Sequence, residues 1–135
     1  MPKLDHIAIQ VSDMQTSIDF YTQKLGLKLL YNKIDEQHGE AFAFLELEGG
    51  NLELLQHMGE GASDFTAPEI KKPYCPHFAL ASDDLDATVE TLNQASVTIV
   101  DGPLEIADTV RWLYFSDPDN NVGEYIQYLR DFLNA

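Results

Sequence analysis

Residues 4 to 25, LDHIAIQVSDMQTSIDFYTQKL, decide the fold, because a related stretch returns at residues 75 to 96, CPHFALASDDLDATVETLNQAS. Similar residues recur at one fixed spacing of 71 positions, and this spacing continues into the later part of each copy. The matched pairs are His6 and His77, Ala8 and Ala79, Ile9 and Leu80, Asp13 and Asp84, Met14 and Leu85, Ile18 and Val89, Tyr21 and Leu92, Phe44 and Phe115, Glu53 and Glu124, Leu55 and Ile126, and Gln56 and Gln127. Internal repetition on this scale predicts two structural modules of one design.

The first segment of each copy alternates between two kinds of side chain, as a β-strand does. In the first copy, large apolar residues (Ile7, Ile9, Val11) alternate with His6, Ala8 and Gln10. The second copy repeats this order, with Phe78 and Leu80 on one face and His77, Ala79 and Ala81 on the other. We expect the bulky face of each strand to pack on a helix and the histidine face to line a cavity.

A helix is predicted directly after each first strand. Ser12 or Asp13 can cap the first helix, and Asp83 or Asp84 can cap the second. Gly26 is suited to end the first helix. Apolar residues follow each cap at helical spacing, namely Met14, Ile18, Tyr21 and Leu25 in the first copy and Leu85, Val89 and Leu92 in the second.

Three more strands fit the rest of each copy, at about 27–34, 40–48 and 51–57 and then at about 97–100, 110–116 and 122–129. Glu48-Gly-Gly-Asn51 and Asp117-Pro-Asp-Asn120 have the composition of hairpin turns. Residues 58–76 are rich in proline and glycine and are interpreted as a linker. The pattern predicts an α+β fold with one domain over residues 1–135. Two tandem βαβββ modules, at about 1–57 and 77–130, are expected to form a curved mixed sheet around a cavity.

Composition excludes several classes of protein. With 23 acidic and 8 basic residues, the net charge of −15 opposes binding to nucleic acid, which depends on clustered Lys and Arg. No apolar run approaches the roughly 20 residues of a membrane span, and the first residues lack the layout of an export signal. The single cysteine, Cys75, can form no internal disulfide, and we expect it to be a small buried apolar residue. We therefore expect a cytoplasmic protein with a small-molecule substrate.

Each copy places a histidine in its first strand and a glutamate in its last, so that His6 and Glu53 match His77 and Glu124. Imidazole and carboxylate together suit one divalent ion such as Ni, Zn, Co, Fe or Mn. Four protein ligands would leave positions for water or substrate in a six-coordinate shell. Inheritance of these residues by duplication, without a function, is the competing interpretation.

The sequence resembles the vicinal oxygen chelate superfamily, and specifically its glyoxalase I branch, over nearly the whole chain. The resemblance lies in LDHIAIQVSDMQTSIDFYTQKLGLKLL, NLELLQ, CPHFALASDDLDATVETL and WLYFSDPDNNVGEYIQY. In this branch the metal ligands correspond to His6, Glu53, His77 and Glu124. The resemblance also implies a homodimer, with active sites between subunits that each draw one His/Glu pair from either chain.

The same resemblance implies a reaction. Glyoxalase I-like lyases isomerise the hemithioacetal of a 2-oxoaldehyde and a thiol to a 2-hydroxyacyl thioester through an enediolate. By analogy Glu124 is the catalytic base, and Glu53 is the second candidate. An arginine and an asparagine that hold glutathione in bacterial members are replaced here by Gln10 and His57. Gln10, His57 and Arg111 are the candidate substrate-binding residues.

Three alternatives stay open. An epimerase acting on an acyl-CoA thioester would use similar chemistry on the same scaffold, but Lys71-Lys72 is the only adjacent pair of cations for the CoA phosphates. A non-catalytic protein that binds an antibiotic or another small molecule would need no metal. An Fe(II) dioxygenase would leave one of the two glutamates without a role.

Overall fold

The computed structural model describes residues 1–131. The chain divides into two compact units, the first spanning Met1–Pro68 and the second beginning at Glu69. Each unit contains one four-stranded mixed sheet and one helix after its first strand. This is the predicted α+β arrangement of two tandem βαβββ modules, and the boundary between the units falls inside the predicted linker.

The first unit contains a sheet with the strand order β1-β4-β3-β2, in which β1 is parallel to β4 and the other neighbours are antiparallel. Its elements are β1 (His6–Gln10), α1 (Met14–Asp19) continued by a π-helical segment (Phe20–Lys24), β2 (Leu29–Asp35), β3 (Glu40–Leu45) and β4 (Asn51–His57). A short 3-10 turn follows at Ala62–Asp64. The first and last strands of the module are thus direct neighbours.

The second unit repeats this topology with the order β5-β8-β7-β6 and a parallel pair formed by β5 and β8. Its elements are β5 (His77–Ala81), α2 (Leu85–Gln94), β6 (Ile99–Ile106), β7 (Val110–Ser116) and β8 (Val122–Tyr128). Among the described residues, neither α1 nor α2 nor any other helix has the length and apolar character that a membrane crossing would require.

The two helices begin in the same way. The side chains of Asp13 and Asp84 accept hydrogen bonds from the backbone N–H groups of Thr16 and Ala87, so each aspartate is an N-cap. A glutamine from the last strand accepts from the first helical N–H in both units, at 2.8 Å for Gln56 and Met14 and at 2.9 Å for Gln127 and Leu85. These bonds satisfy amide groups that have no partner within the helix.

The core of each unit lies between its sheet and its helix. Fully buried residues include Leu45, Leu52, Leu54 and Tyr21 in the first unit and Leu85, Leu92, Leu113 and Phe115 in the second. Val11, directly after β1, and Phe78 on β5 are buried, whereas Ile9 and Leu80 are partly exposed, so the bulky face of each first strand is covered in part. Ile7 differs, since it lies on an edge strand and remains 36% exposed.

The strand β6 extends to Ile106, whereas the sequence predicted an end near residue 100. The pairing of β6 with β7 shifts register between Asp101 and Leu104, which lets the strand continue past Pro103. Gly102 lies at this bulge with φ +102, and a Cβ atom there would come within 2.9 Å of the Trp112 carbonyl oxygen. Glycine is therefore required at this point of the strand.

The spacing of 71 does not hold in the third strand of the module. Phe44 lies opposite Glu53, and Tyr114 lies opposite Glu124, so Phe44 corresponds to Tyr114 and the predicted match with Phe115 is wrong. The reason is the turn before the last strand. Leu45 pairs with Leu52, 7 positions later, whereas Phe115 pairs with Gly123, 8 positions later. The longer turn is closed by Asp117, whose side chain accepts from the Asp119 and Asn121 amides.

Candidate metal centre

The first unit brings His6 and Glu53 together on one face of its sheet. Ala8 pairs with Glu53 in the parallel β1–β4 ladder, and His6 lies two positions before Ala8, so the three side chains share a face. The Nε2 atom of His6 is 3.4 Å from the Oε1 atom of Glu53. His6 and Glu53 therefore lie side by side on this face of the sheet.

The other ring nitrogen of His6 is held by its neighbour in the chain. Nδ1 donates a hydrogen bond of 2.6 Å to the carboxylate of Asp5. This bond, together with the nearby charge of Glu53, raises the pKa of His6, while partial burial opposes the shift. The Phe44 ring contacts the His6 ring edge-on, with 5.4 Å between the ring centroids, and so also restricts the orientation of His6.

The second unit repeats the pair with tighter geometry. His77 Nε2 lies 2.9 Å from Glu124 Oε1, and His77 Nδ1 donates a 2.9 Å hydrogen bond to the carbonyl oxygen of Tyr74. The Tyr114 ring meets the His77 ring edge-on at 5.3 Å. The side chains of His77 and Glu124 are 20% and 11% exposed, and those of His6 and Glu53 are 38% and 13% exposed, so the two pairs differ in exposure chiefly at the histidine.

The hydrogen bonds of His77 define what can lie between it and Glu124. A carbonyl oxygen only accepts, so Nδ1 carries a hydrogen and Nε2 of a neutral ring presents a lone pair. A lone pair 2.9 Å from a carboxylate oxygen is stable only with a cation between them, either a proton or a metal ion. A cation is required between His6 and Glu53 for the same reason, because His6 Nδ1 donates its hydrogen to the carboxylate of Asp5 and Nε2 of a neutral ring presents a lone pair.

The separations of the two pairs also fit shared ligation. Two donors bound to one ion at about 2.1 Å are about 3.0 Å apart at a right angle and about 3.4 Å apart at the tetrahedral angle. The observed distances are 2.9 Å for the second pair and 3.4 Å for the first. His Nε2 ligands whose Nδ1–H groups donate to a carboxylate or a carbonyl oxygen are the usual arrangement in metal sites.

Each unit supplies two of the four predicted ligands. Among residues 1–131, no three or more His, Cys, Asp or Glu side chains come together in a group that could hold a metal. Assembly of both pairs around one ion therefore stays a prediction, and it forms part of the proposal below.

Gln10 and His57 line one shallow pocket of about 350 Å³ in the first unit, together with Glu40. His57 shares strand parity with Glu53 on β4, as expected. Its Nε2 atom donates to the carbonyl oxygen of Glu60 at 2.6 Å, which directs Nδ1 away from that loop. The pocket contains the carboxylate of Glu40 and no lysine or arginine among its lining residues.

Arg111 lies on the opposite face of its strand from Tyr114, the residue that contacts His77. Its guanidinium donates a 2.9 Å hydrogen bond to Asp86, and this bond raises the pKa of Arg111. Arg111 thus forms an ion pair with a helix residue, faces away from the His77–Glu124 pair of its own unit, and gains no support there as a substrate contact.

Three residues near the second pair were missed by sequence reasoning. Tyr74 lies in the predicted linker, and Asp101 and Tyr114 lie on neighbouring strands. Asp5, beside His6, could have been found from the sequence, because it is an acidic residue adjacent to a predicted ligand. Tyr74, Asp101 and Tyr114 gave no such signal. Cys75 was expected to be buried, but it is exposed, because it lies in the loop before β5 with its sulfur 3.8 Å from His77 Nδ1.

Comparison with known proteins assigns the chain to a family. A family model described as the glyoxalase/bleomycin resistance protein/dioxygenase superfamily matches residues 3–125. The chain belongs to this superfamily, as its resemblance to vicinal oxygen chelate proteins implied.

Individual relatives differ in what their names state. The chain is 32% identical over 128 residues to a probable lactoylglutathione lyase of Vibrio cholerae serotype O1, covering 90% of this chain and 88% of the relative. It is 32% identical over 131 residues to the lactoylglutathione lyase of Escherichia coli O157:H7, covering 93% and 92%. Among solved structures, the antibiotic-binding protein TnmS3 from Streptomyces sp. CB03234 has a TM-score of 0.71 and 25% identity, covering 95% of this chain and 97% of that one.

Proposed function

We propose that this protein is a glyoxalase I-like, metal-dependent lyase that converts the hemithioacetal of a 2-oxoaldehyde and a thiol into a 2-hydroxyacyl thioester. The observation that carries the proposal is the repeated His/Glu pair, with Nε2 to Oε1 distances of 2.9 and 3.4 Å and with each Nδ1 hydrogen donated elsewhere. The named lyases among the relatives support the reaction class.

His6, Glu53, His77 and Glu124 would hold one divalent ion, with Ni, Zn, Co, Fe and Mn as candidates by ligand type. Bound at this site, the ion would act as a Lewis acid that stabilises negative charge on substrate oxygens. Because the two pairs belong to different units, the site requires both modules. We propose that a homodimer provides it, each site using one pair from either chain.

The reaction moves a proton between adjacent carbons of the substrate, and the bond to sulfur is kept. Glu124 is the proposed base that removes the proton from the carbon bearing sulfur and delivers it to the next carbon. Tyr114 lies opposite Glu124. Burial and the Glu124 charge raise the pKa of the Tyr114 phenol, so the phenol keeps its proton near Glu124 at neutral pH.

Glu53 is the second candidate for the base. Its cross-strand neighbour is Phe44, which offers no polar group. Glu53 would therefore act mainly as a ligand, and the phenol of Tyr114 opposite Glu124 favours Glu124 as the residue that exchanges the proton.

The thiol is proposed to differ from glutathione in its charged groups. Gln10 and His57 occupy the positions that grip glutathione in bacterial members, and Glu40 lines the same pocket. An acidic pocket without lysine or arginine disfavours a thiol that carries carboxylates. Gln10 and His57 would contact the thiol through neutral hydrogen bonds.

A non-catalytic small-molecule binder is the second candidate function, and the similarity to an antibiotic-binding protein favours it. Such a protein would retain a pocket without using the His/Glu pairs. An acyl-CoA epimerase is less well supported, because Lys71, one of the two adjacent cations, is paired with Glu69 at 3.6 Å.

The test is metal analysis of protein purified without chelator, followed by assay of thioester formation from methylglyoxal with several thiols. We expect metal and isomerase activity, both lost in His77→Ala and kept in His38→Ala, since His38 is an exposed turn residue whose ring bonds to Asp35. Metal without isomerase activity but with epimerisation of an acyl-CoA would favour the epimerase. Stoichiometric ligand binding by metal-free protein would favour the binder.

A further inference from the structure

The two histidines of the repeat differ in what holds them. His6 is held through Nδ1 by Asp5, a surface residue whose side chain is 88% exposed. Pro76 stands 71 positions after Asp5 and offers no side-chain acceptor. His77 instead donates to the backbone carbonyl of Tyr74, in the loop that precedes β5.

The Tyr74 loop is itself fixed at several points. The phenol of Tyr74 donates a 3.0 Å hydrogen bond to Asp101 Oδ2, and its ring packs against Tyr114 at 4.7 Å. The backbone N–H of Tyr74 donates to the carbonyl of Lys71 at 2.8 Å. With φ +62, Tyr74 adopts a left-handed conformation that a non-glycine residue keeps only when its surroundings enforce it.

These contacts form a closed path around His77. Asp101 pairs with Tyr114 across β6 and β7, and Tyr114 pairs with Glu124 across β7 and β8. The Tyr114 ring touches both Tyr74 and His77. Asp101 is thus linked to the Nδ1 acceptor of His77 through the Tyr74 side chain, and to Glu124 through the sheet.

The first unit has no such path. Phe44 takes the place of Tyr114, and Tyr31 takes the register position of Asp101 opposite it. Lys3 stands 71 positions before Tyr74. His6 accordingly lies 3.4 Å from its glutamate and is more exposed than His77.

We propose that Tyr74 and Asp101 are positioning residues for His77: their hydrogen bond holds the Tyr74 carbonyl where it receives Nδ1–H and so directs Nε2 at Glu124. The second unit then supplies the proposed metal ligands whose orientation is fixed before metal binds. This inference rests on the proposed metal-dependent function. An acceptor that fixes the tautomer and the ring orientation of a ligating histidine strengthens metal binding.

The variant Tyr74→Phe removes the donor of the Tyr74–Asp101 hydrogen bond, and Asp101→Ala removes its acceptor. Asp101→Asn keeps an oxygen acceptor and serves as the conservative rescue. Tyr31→Phe is the matched control, because Tyr31 stands at the register position of Asp101 and is 53% exposed. Thermal unfolding of each variant establishes that it is folded.

Two readouts are used on the full chain. In metal-free protein, nitrogen-15 NMR of the histidine rings should show a hydrogen-bonded, slowly exchanging Nδ1–H on His77 in the wild type and in Tyr31→Phe, and a weakly bonded, rapidly exchanging Nδ1–H in Tyr74→Phe and Asp101→Ala. Titration with Co²⁺ should show affinity about 10-fold weaker in those two variants and within about 3-fold of the wild type in Asp101→Asn.

Folded Tyr74→Phe and Asp101→Ala proteins with the wild-type Nδ1–H signal and unchanged Co²⁺ affinity would overturn the inference while leaving the proposed lyase intact. A wild-type protein that binds no Co²⁺ would instead remove the proposed function, and the Nδ1–H measurement would still decide the positioning role. If Tyr74→Phe fails to fold, Asp101→Ala and Asp101→Asn carry the same comparison.

Discussion

Glu124 lies closer to His77 than its counterpart Glu53 lies to His6, with Nε2 to Oε1 distances of 2.9 and 3.4 Å in equivalent positions of the repeat. The difference follows from the surroundings of the two pairs. Tyr114 and Tyr74 enclose the second pair, whereas Phe44 and the exposed Asp5 flank the first. The duplicated residues have therefore acquired different neighbours, and we expect them to differ in function.

Replacing each glutamate separately tests this division of roles. We expect Glu124→Gln to lower kcat by about 10²- to 10⁴-fold, the usual contribution of a general base. Glu53→Gln should weaken metal binding and lower kcat less once metal is saturating. Steady-state assays at saturating metal measure both, and Glu90→Gln, on the exposed side of α2, is the control. A larger loss of kcat in Glu53→Gln would reverse the assignment.

The glutamines that tie each helix to the last strand should contribute to stability. Gln127→Met keeps the shape of the side chain but removes the acceptor of the Leu85 N–H, so the free energy of unfolding should fall by about 1 kcal/mol. Gln56→Met should have a similar effect in the first unit. Urea unfolding checks this, with Gln23→Met, an exposed residue, as the matched control. An unchanged midpoint in both variants would exclude the role.

Acid should weaken the first helix through its cap. The hydrogen bonds from Thr16 lower the pKa of Asp13 below its ordinary 3.8. Since the folded pKa is the lower one, the stabilisation is fully present above about 3.8 and is lost as the pH falls through the folded value. Asp13→Ser retains a capping oxygen without the charge, so its unfolding midpoint should depend less on pH below 5. Identical pH profiles for the two proteins would contradict this account.

Thiol preference should follow the charge of the pocket beside Gln10. We expect kcat/KM with glutathione to be no higher than with a thiol of similar size that lacks carboxylates. Gln10→Arg should raise kcat/KM for glutathione by about 10-fold, because a guanidinium binds a carboxylate by two hydrogen bonds. Gln15→Arg, on the exposed surface of α1, controls for the change in net charge. A wild-type preference for glutathione would refute the proposed specificity.

Much of the fold could be predicted because the repeat and the local patterns agree. The spacing of 71 matched the first strands, the helix starts and the last strands, where the hydrogen-bonded ladders set Ala8 against Glu53 and Ala79 against Glu124. Caps and turns depend on neighbouring residues, so the sequence limited each cap to two candidates, and the structure has Asp13 rather than Ser12 and Asp84 rather than Asp83.

Other features depend on contacts that spacing does not reveal. One added residue in the turn after β7 moved the register of that strand, and the sequence alone did not show where the addition lay. The hydrogen bond from Tyr74 to Asp101 joins residues 27 positions apart, one of them in a segment interpreted as a linker. The orientation of Arg111 could have been inferred from strand alternation once β7 was placed.

The most direct test of the central claim is the metal stoichiometry of the wild type and of four single variants, His6→Ala, Glu53→Ala, His77→Ala and Glu124→Ala. The account predicts one divalent ion per chain, with affinity at least about 10-fold weaker in every variant and unchanged in His38→Ala. Tight binding of one ion that survives loss of His6 or Glu53 would show that the two pairs do not share an ion.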